Sequence, residues 1–259
     1  MFPLSNKFTS NTLIETFNEL SRFTGFTYMA ENAFKNCTKL REVELPSTLI
    51  GTGVSSSSAY GGAFYKTALT TINLKNVTRI GADTFYACPY LSSIDLKKIK
   101  YVGGNAFRNT LVLTKIILPN IVSGTSGNFQ TLSLAYGSLK LNLVDFGPNM
   151  VGCGQYIRYK NNADYGYSAS SSAWANTTVV FRSKSFVLTS KNALQHIYRC
   201  YCTEEMYDYL KSSINNSYTG IVYLIGSSTW ESQFGSSDPF ANLTQEEYDY
   251  YYKDIVENT

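Results

Sequence analysis

Between residues 28 and 118 the apolar positions of the chain recur in a fixed order. Phe34, Phe64, Phe85 and Phe107 each open a unit. Leu40, Leu69, Leu91 and Leu113 follow five or six residues later, then Val43, Ile72, Ile94 and Ile116 after three more, then Leu45, Leu74, Leu96 and Leu118 after two. The phenylalanines are 30, 21 and 22 residues apart, and the unit reads A/T-F-x(4–5)-L-x-x-[VI]-x-L. A glycine-containing turn precedes the Phe, as in "IGADTF" and "VGGNAF". Within a unit the Val/Ile-x-Leu alternation predicts a short strand with one buried face, and the Phe and first Leu lie on a more compact turn. One such unit cannot bury its own apolar side. Stacked units bury columns of Phe, Leu and Ile, each fully buried side chain contributing about 1.5–3 kcal/mol. The expected fold is an α/β repeat solenoid with one parallel sheet and a helical cap at each end.

Weaker copies extend the pattern. Leu141, Val144 and Phe146 keep the strand spacing, Val179 and Phe181 continue it, and "IYRCYC" (197–202) and "IVYLI" (221–225) read as further strands. Insertions break the period at 46–62 and 147–176, and in repeat proteins such insertions map to loops on one side, often the binding side. The ends depart from the repeat. Leu13, Ile14, Phe17 and Leu20 form a helical stripe, with Ser10 or Asn11 as cap and Gly25 beyond its end, which predicts an N-terminal capping helix within residues 1–27. The solenoid then spans 28–202. Residues 203–259 supply a strand and two capping helices, one started by Thr203 with Glu204 and Glu205, the other by Thr244 with Glu246 and Glu247.

Composition narrows the function. The chain has 259 residues, 44% hydrophobic and 16% charged, with net charge +3 and 21 tyrosines. A continuous core is affordable, and no basic block is present for nucleic acid, whose phosphates need clustered Lys and Arg. No apolar run reaches the roughly 20 residues of a membrane span, and the N-terminus lacks a signal-peptide pattern. The expected location is therefore the cell surface or exterior if a signal was trimmed, and otherwise a virion or the cytoplasm. Cys37, Cys88, Cys153, Cys200 and Cys202 are loosely spaced, and with a single histidine they make neither a zinc site nor a disulfide framework. They read as small core residues, and Cys37 and Cys88 share one repeat position with Thr67 or Ala68 and Thr110.

The segments "AENAFKNCTKLREVELP", "GADTFYACPYLSSIDL" and "GGNAFRNTLVLTKIILP" resemble the BspA-like class of leucine-rich repeats, and "FNELSRFTGFTYM" and "FGPNM" are similar to it. The likeness runs from about residue 17 to 152. It implies a non-enzymatic binding or adhesive module of a kind found on bacterial and protist surfaces and in gut bacteria and their phages. The family has no single ligand, so no functional residue carries over.

Catalytic alternatives have little to stand on. His196 is a candidate dyad partner for Cys153 or Cys200, but nothing in the sequence orients it. Glu42 and Glu44 form a carboxylate pair on one strand, read as solvated residues in the absence of a cleft. "GTGVSSSSAYGG" lacks the lysine of a phosphate loop. Five N-x-[ST] sequons occur at a frequency that chance explains in so Asn- and Ser-rich a chain.

The partner surface is sought instead on the outward strand positions: Glu42, Glu44, Thr71, Asn73, Ser93, Asp95, Lys115, Ile117, Leu143, Asp145 and Val180. This ladder is polar at its start and more apolar after Ile117. The Ile117–Leu143 patch is either a contact surface or is covered by the long insertion. That insertion carries Tyr156, Tyr159, Tyr165 and Tyr167 among Ser, Gly and Asn, the composition of adaptable recognition loops. The candidate partner-binding residues are therefore Lys115, Ile117, Leu143, Asp145, Tyr156, Tyr159, Tyr165 and Tyr167, with no catalytic, cofactor or metal site. The expected partner is a protein or glycan. Two alternatives stand beside this: a structural or receptor-binding component of a phage virion, and a glycan-active enzyme.

Overall fold

The computed structural model describes residues 7–52, 62–122, 134–135, 137–153, 177–188, 194, 197–214 and 221–258. In chain order the strands are β1 (Thr16–Phe17), β2 (Tyr28–Met29), β3 (Glu42–Val43), β4 (Gly51–Thr52), β5 (Arg79–Ile80), β6 (Tyr101–Val102), β7 (Lys115–Leu118), β8 (Leu143–Phe146), β9 (Gly152–Cys153), β10 (Thr178–Phe181), β11 (Val187–Leu188) and β12 (Arg199–Cys202). Helix α1 (Glu204–Ser213) follows, then β13 (Val222–Leu224) and helices α2 (Ser228–Phe234), α3 (Gln245–Tyr251) and α4 (Lys253–Glu257). Every strand pair is parallel, as a stack of coils requires.

The parallel sheet expected from the Val/Ile-x-Leu segments is five-stranded, in the order β13-β12-β10-β8-β7. Its register aligns Ile116, Val144, Val179, Cys200 and Val222 in one inward column and Leu118, Phe146, Phe181, Cys202 and Leu224 in the next. In the preceding coils the same segments are extended but barely laddered: Val43 pairs with Phe17, and the Ser92 N–H donates to the Thr70 carbonyl at 3.0 Å. A second ladder, β2-β4-β5-β6, occupies residues that the sequence pattern assigns to the turn before the Phe. It buries Met29, Thr52, Ile80 and Val102 completely.

The phenylalanine column is as predicted. Ring centroids are 5.6 Å apart from Phe34 to Phe64, 5.7 Å to Phe85 and 5.6 Å to Phe107, with rings nearly parallel. Phe8 extends the column at 5.2 Å from Phe34. This corrects the N-terminal capping helix. Phe8, Ile14 and Phe17 have the spacing of Phe34, Leu40 and Val43, so the segment is a divergent coil, and β1 pairs with β3 where a helix was expected. Among the described residues its only helical piece is the 3₁₀ turn Glu19–Arg22. A stripe at i, i+1, i+4 and i+7 fits both forms, and stacking on the next coil decides between them.

The turns show why the units carry Asn, Asp and Gly where they do. Two residues past the Phe the backbone is left-handed in coil after coil: Ser10, Asn36, Lys66, Ala87, Asn109 and, in a sixth coil where Ala135 replaces the Phe, Gly137. Two residues before it Asn32, Asp83 and Asn105 are also left-handed, a conformation Asn and Asp tolerate best among residues with a Cβ. These twists aim amides at the next coil. The N–H groups of Phe34, Phe64, Phe85 and Phe107 donate to the carbonyls of Ala63, Thr84, Ala106 and Leu134 at 2.8–3.0 Å. Three residues past the Phe, the small side chains do more than fit. Cys37 donates to the Phe8 carbonyl, Cys88 to the Phe64 carbonyl and Ser138 to the Phe107 carbonyl, at 2.9, 3.0 and 2.8 Å.

At the far end α1 buries Met206 and Leu210. Thr203 stands at its N-cap, but its hydroxyl goes to the Ser183 carbonyl instead. Thr244 and Glu247 form a reciprocal capping box at the start of α3.

Candidate functional site

The outward face of the strand side divides in two. Glu42, Glu44, Thr71, Asn73, Ser93 and Asp95 are exposed, as their alternation with buried Val43, Leu45, Ile72, Leu74 and Leu96 dictates. Lys75 stands beside Glu44 at 3.9 Å.

From the fifth coil onward the expected exposure is corrected. Ile117, Leu143, Asp145 and Val180 are buried, and Lys115 is the one of these outward positions left half-exposed. Among the described residues, the cover is the C-terminal segment. Trp230 of α2 is fully buried against Leu143, Val180 and Tyr201, with its indole N–H on the Asp238 carbonyl at 2.8 Å. Gln233 donates to Thr178 and accepts from Tyr201 and Arg199. The apolar stretch of the ladder thus has an occupant from its own chain. Tyr156, Tyr159, Tyr165, Tyr167 and His196 lie outside the described residues.

Asp145 is the centre of this cover. Its carboxylate accepts from Arg182 Nε at 2.9 Å, Arg182 Nη2 at 2.8 Å, Asn242 Nδ2 at 2.7 Å and the Tyr252 hydroxyl at 2.6 Å. Arg182 donates in turn to the Pro239 carbonyl and to Asn242 Oδ1, both at 2.8 Å, and its guanidinium lies 4.1 Å from the Phe240 ring centroid. Burial is the largest influence on Arg182 and opposes its charge, but Asp145 and Tyr252 together outweigh it and raise the guanidinium above its ordinary pKa. Burial and the same carboxylate push the Tyr252 hydroxyl up, so it stays a donor. A buried pair this completely hydrogen-bonded is costly to break on one side, about 3–5 kcal/mol. Beside it opens a cleft of about 850 Å³, lined on the solenoid by Met150, Val151 and Lys184 and on the C-terminal segment by Phe240, Ile255 and Val256.

The reactive side chains have been put to structural use. All five cysteines are buried and unbridged. Burial pushes the Cys88 thiol up to about 11 and the Cys202 thiol up to about 12, and lifts Cys200 well above the ordinary range, so these three supply no thiolate at neutral pH. Glu42 and Glu44 remain solvated. Among the described residues no three metal-ligating side chains converge.

Sequence reasoning missed Arg182, Trp230 and Tyr252. One signal was present: "LVDF" sets an aspartate among apolar neighbours at an outward position, which calls for a cationic partner. The partner's position in sequence, 37 residues on, is set by the fold.

A family profile described as the BspA type leucine rich repeat region matches residues 5–135 in six copies. Its extent coincides with the coils of Phe8, Phe34, Phe64, Phe85, Phe107 and Ala135. No curated protein matches the chain. Among solved structures it is similar to the pneumococcal vaccine antigen PcpA, at 16% identity and a TM-score of 0.44, over 82% of this chain and 43% of that one. It is also similar to a leucine rich cell surface protein from Faecalibacterium prausnitzii A2-165, at 15% identity and a TM-score of 0.33, over 90% and 65%. The chain thus spans less than two thirds of the length of either.

Proposed function

The chain belongs to the BspA-type leucine-rich repeat family, and from that premise we propose that it is a non-enzymatic binding module for a protein or glycan partner. The observation that carries the reading is the exposed polar ladder of the coils opened by Phe34, Phe64 and Phe85. Glu42, Glu44, Thr71, Asn73 and Ser93 stand outward at the coil spacing, on a core that fixes their positions. Such a surface recognises by area and by regular placement of polar groups rather than by one reactive side chain. The burial that keeps Cys88, Cys200 and Cys202 protonated supports the same reading.

The test is a glycan array and a pull-down from cell-surface extract with the intact chain, followed by two variants. Glu42→Lys/Glu44→Lys reverses the ladder's charge at solvated positions, so it leaves unfolding unchanged. Tyr159→Ala/Tyr165→Ala removes two aromatic side chains of the insertion. Loss of capture in the first variant places the ligand on the ladder, and loss only in the second moves it to the insertion. Full capture by both, or turnover of a substrate abolished by His196→Ala, overturns the reading.

A further inference from the structure

The C-terminal cover is attached in two different ways. Residues 228–242 are part of the core: Trp230 is fully buried, and Asn242 and the Pro239 carbonyl engage the Asp145–Arg182 pair. Helices α3 and α4 are not. Neither buries a single residue, and Val256 and Tyr250 stay 42% and 46% exposed. The cleft of about 850 Å³ opens under α4, so that helix stands beside open space rather than packed side chains.

What holds the pair is a short polar code, together with the contacts of the Tyr248 and Tyr252 rings on Phe240, at 5.0 and 5.1 Å between centroids. Two lysines of the sheet face meet two acids: Lys115 to Glu247 at 2.6 Å and Lys97 to Asp254 at 3.4 Å. Two aspartates of the face meet two tyrosine hydroxyls: Asp95 accepts from Tyr250 at 2.5 Å and Asp145 from Tyr252 at 2.6 Å. The Lys97 ammonium also lies 4.8 Å from the Tyr250 ring centroid. Exposed pairs of this kind hold weakly and are screened by salt. Tyr252 is the one buried anchor. Its departure still leaves Asp145 with three donors from Arg182 and Asn242, so release strands no charge.

We propose that α3–α4 is a releasable strap, and that the face beneath it is a second interaction surface that takes an acidic, tyrosine-bearing helix. The strap is the resident example of that ligand. An incoming helix reproduces its order of groups: an acid for Lys115, a tyrosine three residues on for Asp95, another two further for Asp145, and an acid after it for Lys97. The surface adjoins the ladder of Glu42 to Ser93 at Asn73, which lines one pocket with Asp95, Lys97 and Tyr250.

The experiment is amide hydrogen exchange on the full chain, with a labelled peptide of residues 243–258 as probe. Amides of 248–256 exchange at least about 100-fold faster than those of Val144 and Val179, and higher salt speeds the strap alone. Glu247→Lys loosens the strap and leaves the sheet face intact. It speeds strap exchange about three- to tenfold and raises peptide affinity over the unaltered chain by about the same factor. Lys115→Glu breaks the same ion pair, leaves the α3 capping box in place and damages the face, so it speeds exchange without gaining peptide affinity. Glu247→Lys combined with Lys115→Glu restores the ion pair and recovers part of the slow exchange, the capping box of α3 being lost with Glu247. Strap amides as protected as the sheet, or a Glu247→Lys chain that gains no affinity for the peptide, overturn the proposal.

Discussion

Asp83 is a position where the repeat works against its own side chain. It is 1% exposed, its Oδ1 has no hydrogen-bond partner, and its backbone is left-handed with φ of 54°. Burial pushes the carboxyl up from 3.8 to about 6, although Asn105, Arg108 and Lys35 pull the other way. The equivalent positions in neighbouring coils hold Asn32 and Asn105, also left-handed. Asp83→Asn therefore keeps the shape and removes the charge. The sign follows from linkage: a carboxyl whose folded pKa is raised binds its proton more tightly in the folded state, so its cost is absent below about pH 4 and grows as the pH rises through about 6. The rise to about 6 corresponds to about 3 kcal/mol, and because Lys35 and Arg108 beside it are only half-buried, solvent screening reduces this to about 1–2 kcal/mol. Urea unfolding of both proteins from pH 4 to pH 8 reads the difference. The Asn variant is expected to be more stable by about 1–2 kcal/mol at pH 7 and to converge with the parent near pH 4. A difference that does not change with pH, or an Asn variant less stable at pH 7, refutes the reasoning.

Two further substitutions test the packing. Leu96→Ala opens a cavity in the middle of the stack at a residue 1% exposed and costs about 2–5 kcal/mol by denaturant unfolding. Asp95→Ala, one residue away and outward, stays within about 1 kcal/mol, the loss being the Tyr250 hydroxyl's acceptor and not core. Ala87→Gly relieves a left-handed backbone at φ 54° and gains about 0.5–1 kcal/mol, the reverse of the usual effect of glycine; thermal unfolding checks it.

The repeat was legible because its columns are written in side chains that have no other use. Phe34, Phe64, Phe85 and Phe107 are in phase in the sequence and in the column. The same logic carried through Val144 and Phe181 to the strands at 199–202 and 222–224. Phe8 was not legible, because the spacing of Ile14, Phe17 and Leu20 satisfies a helix as well as a coil, and only the neighbouring coil chooses. The ladder before the Phe was hidden in two-residue strands such as Gly51–Thr52, too short to show alternation. The candidate partner surface was half legible. Outward Glu42 to Asp95 were placed correctly by alternation. Ile117, Leu143 and Asp145 were not, since alternation says which way a side chain points and nothing about what a segment 100 residues later lays over it. Asp145 and Arg182 find each other through the register of β8 and β10, which local pattern does not encode.

Coil-on-coil stacking in one register is the claim on which everything else rests, and a pair of introduced cysteines measures it. Thr71 and Ser93 are exposed, occupy the same place in successive coils, and flank the Ser92-to-Thr70 hydrogen bond. Adjacent parallel strands lie about 4.8 Å apart, within disulfide reach, and strands two coils apart lie about 10 Å apart, beyond it. The native thiols are all buried and do not interfere. Under mild oxidation Thr71→Cys/Ser93→Cys is expected to close an intramolecular disulfide in the folded chain, with unfolding unchanged or shifted upward, while Thr71→Cys/Lys115→Cys stays reduced. Closure of the second pair and not the first would contradict the stack and the binding platform built on it.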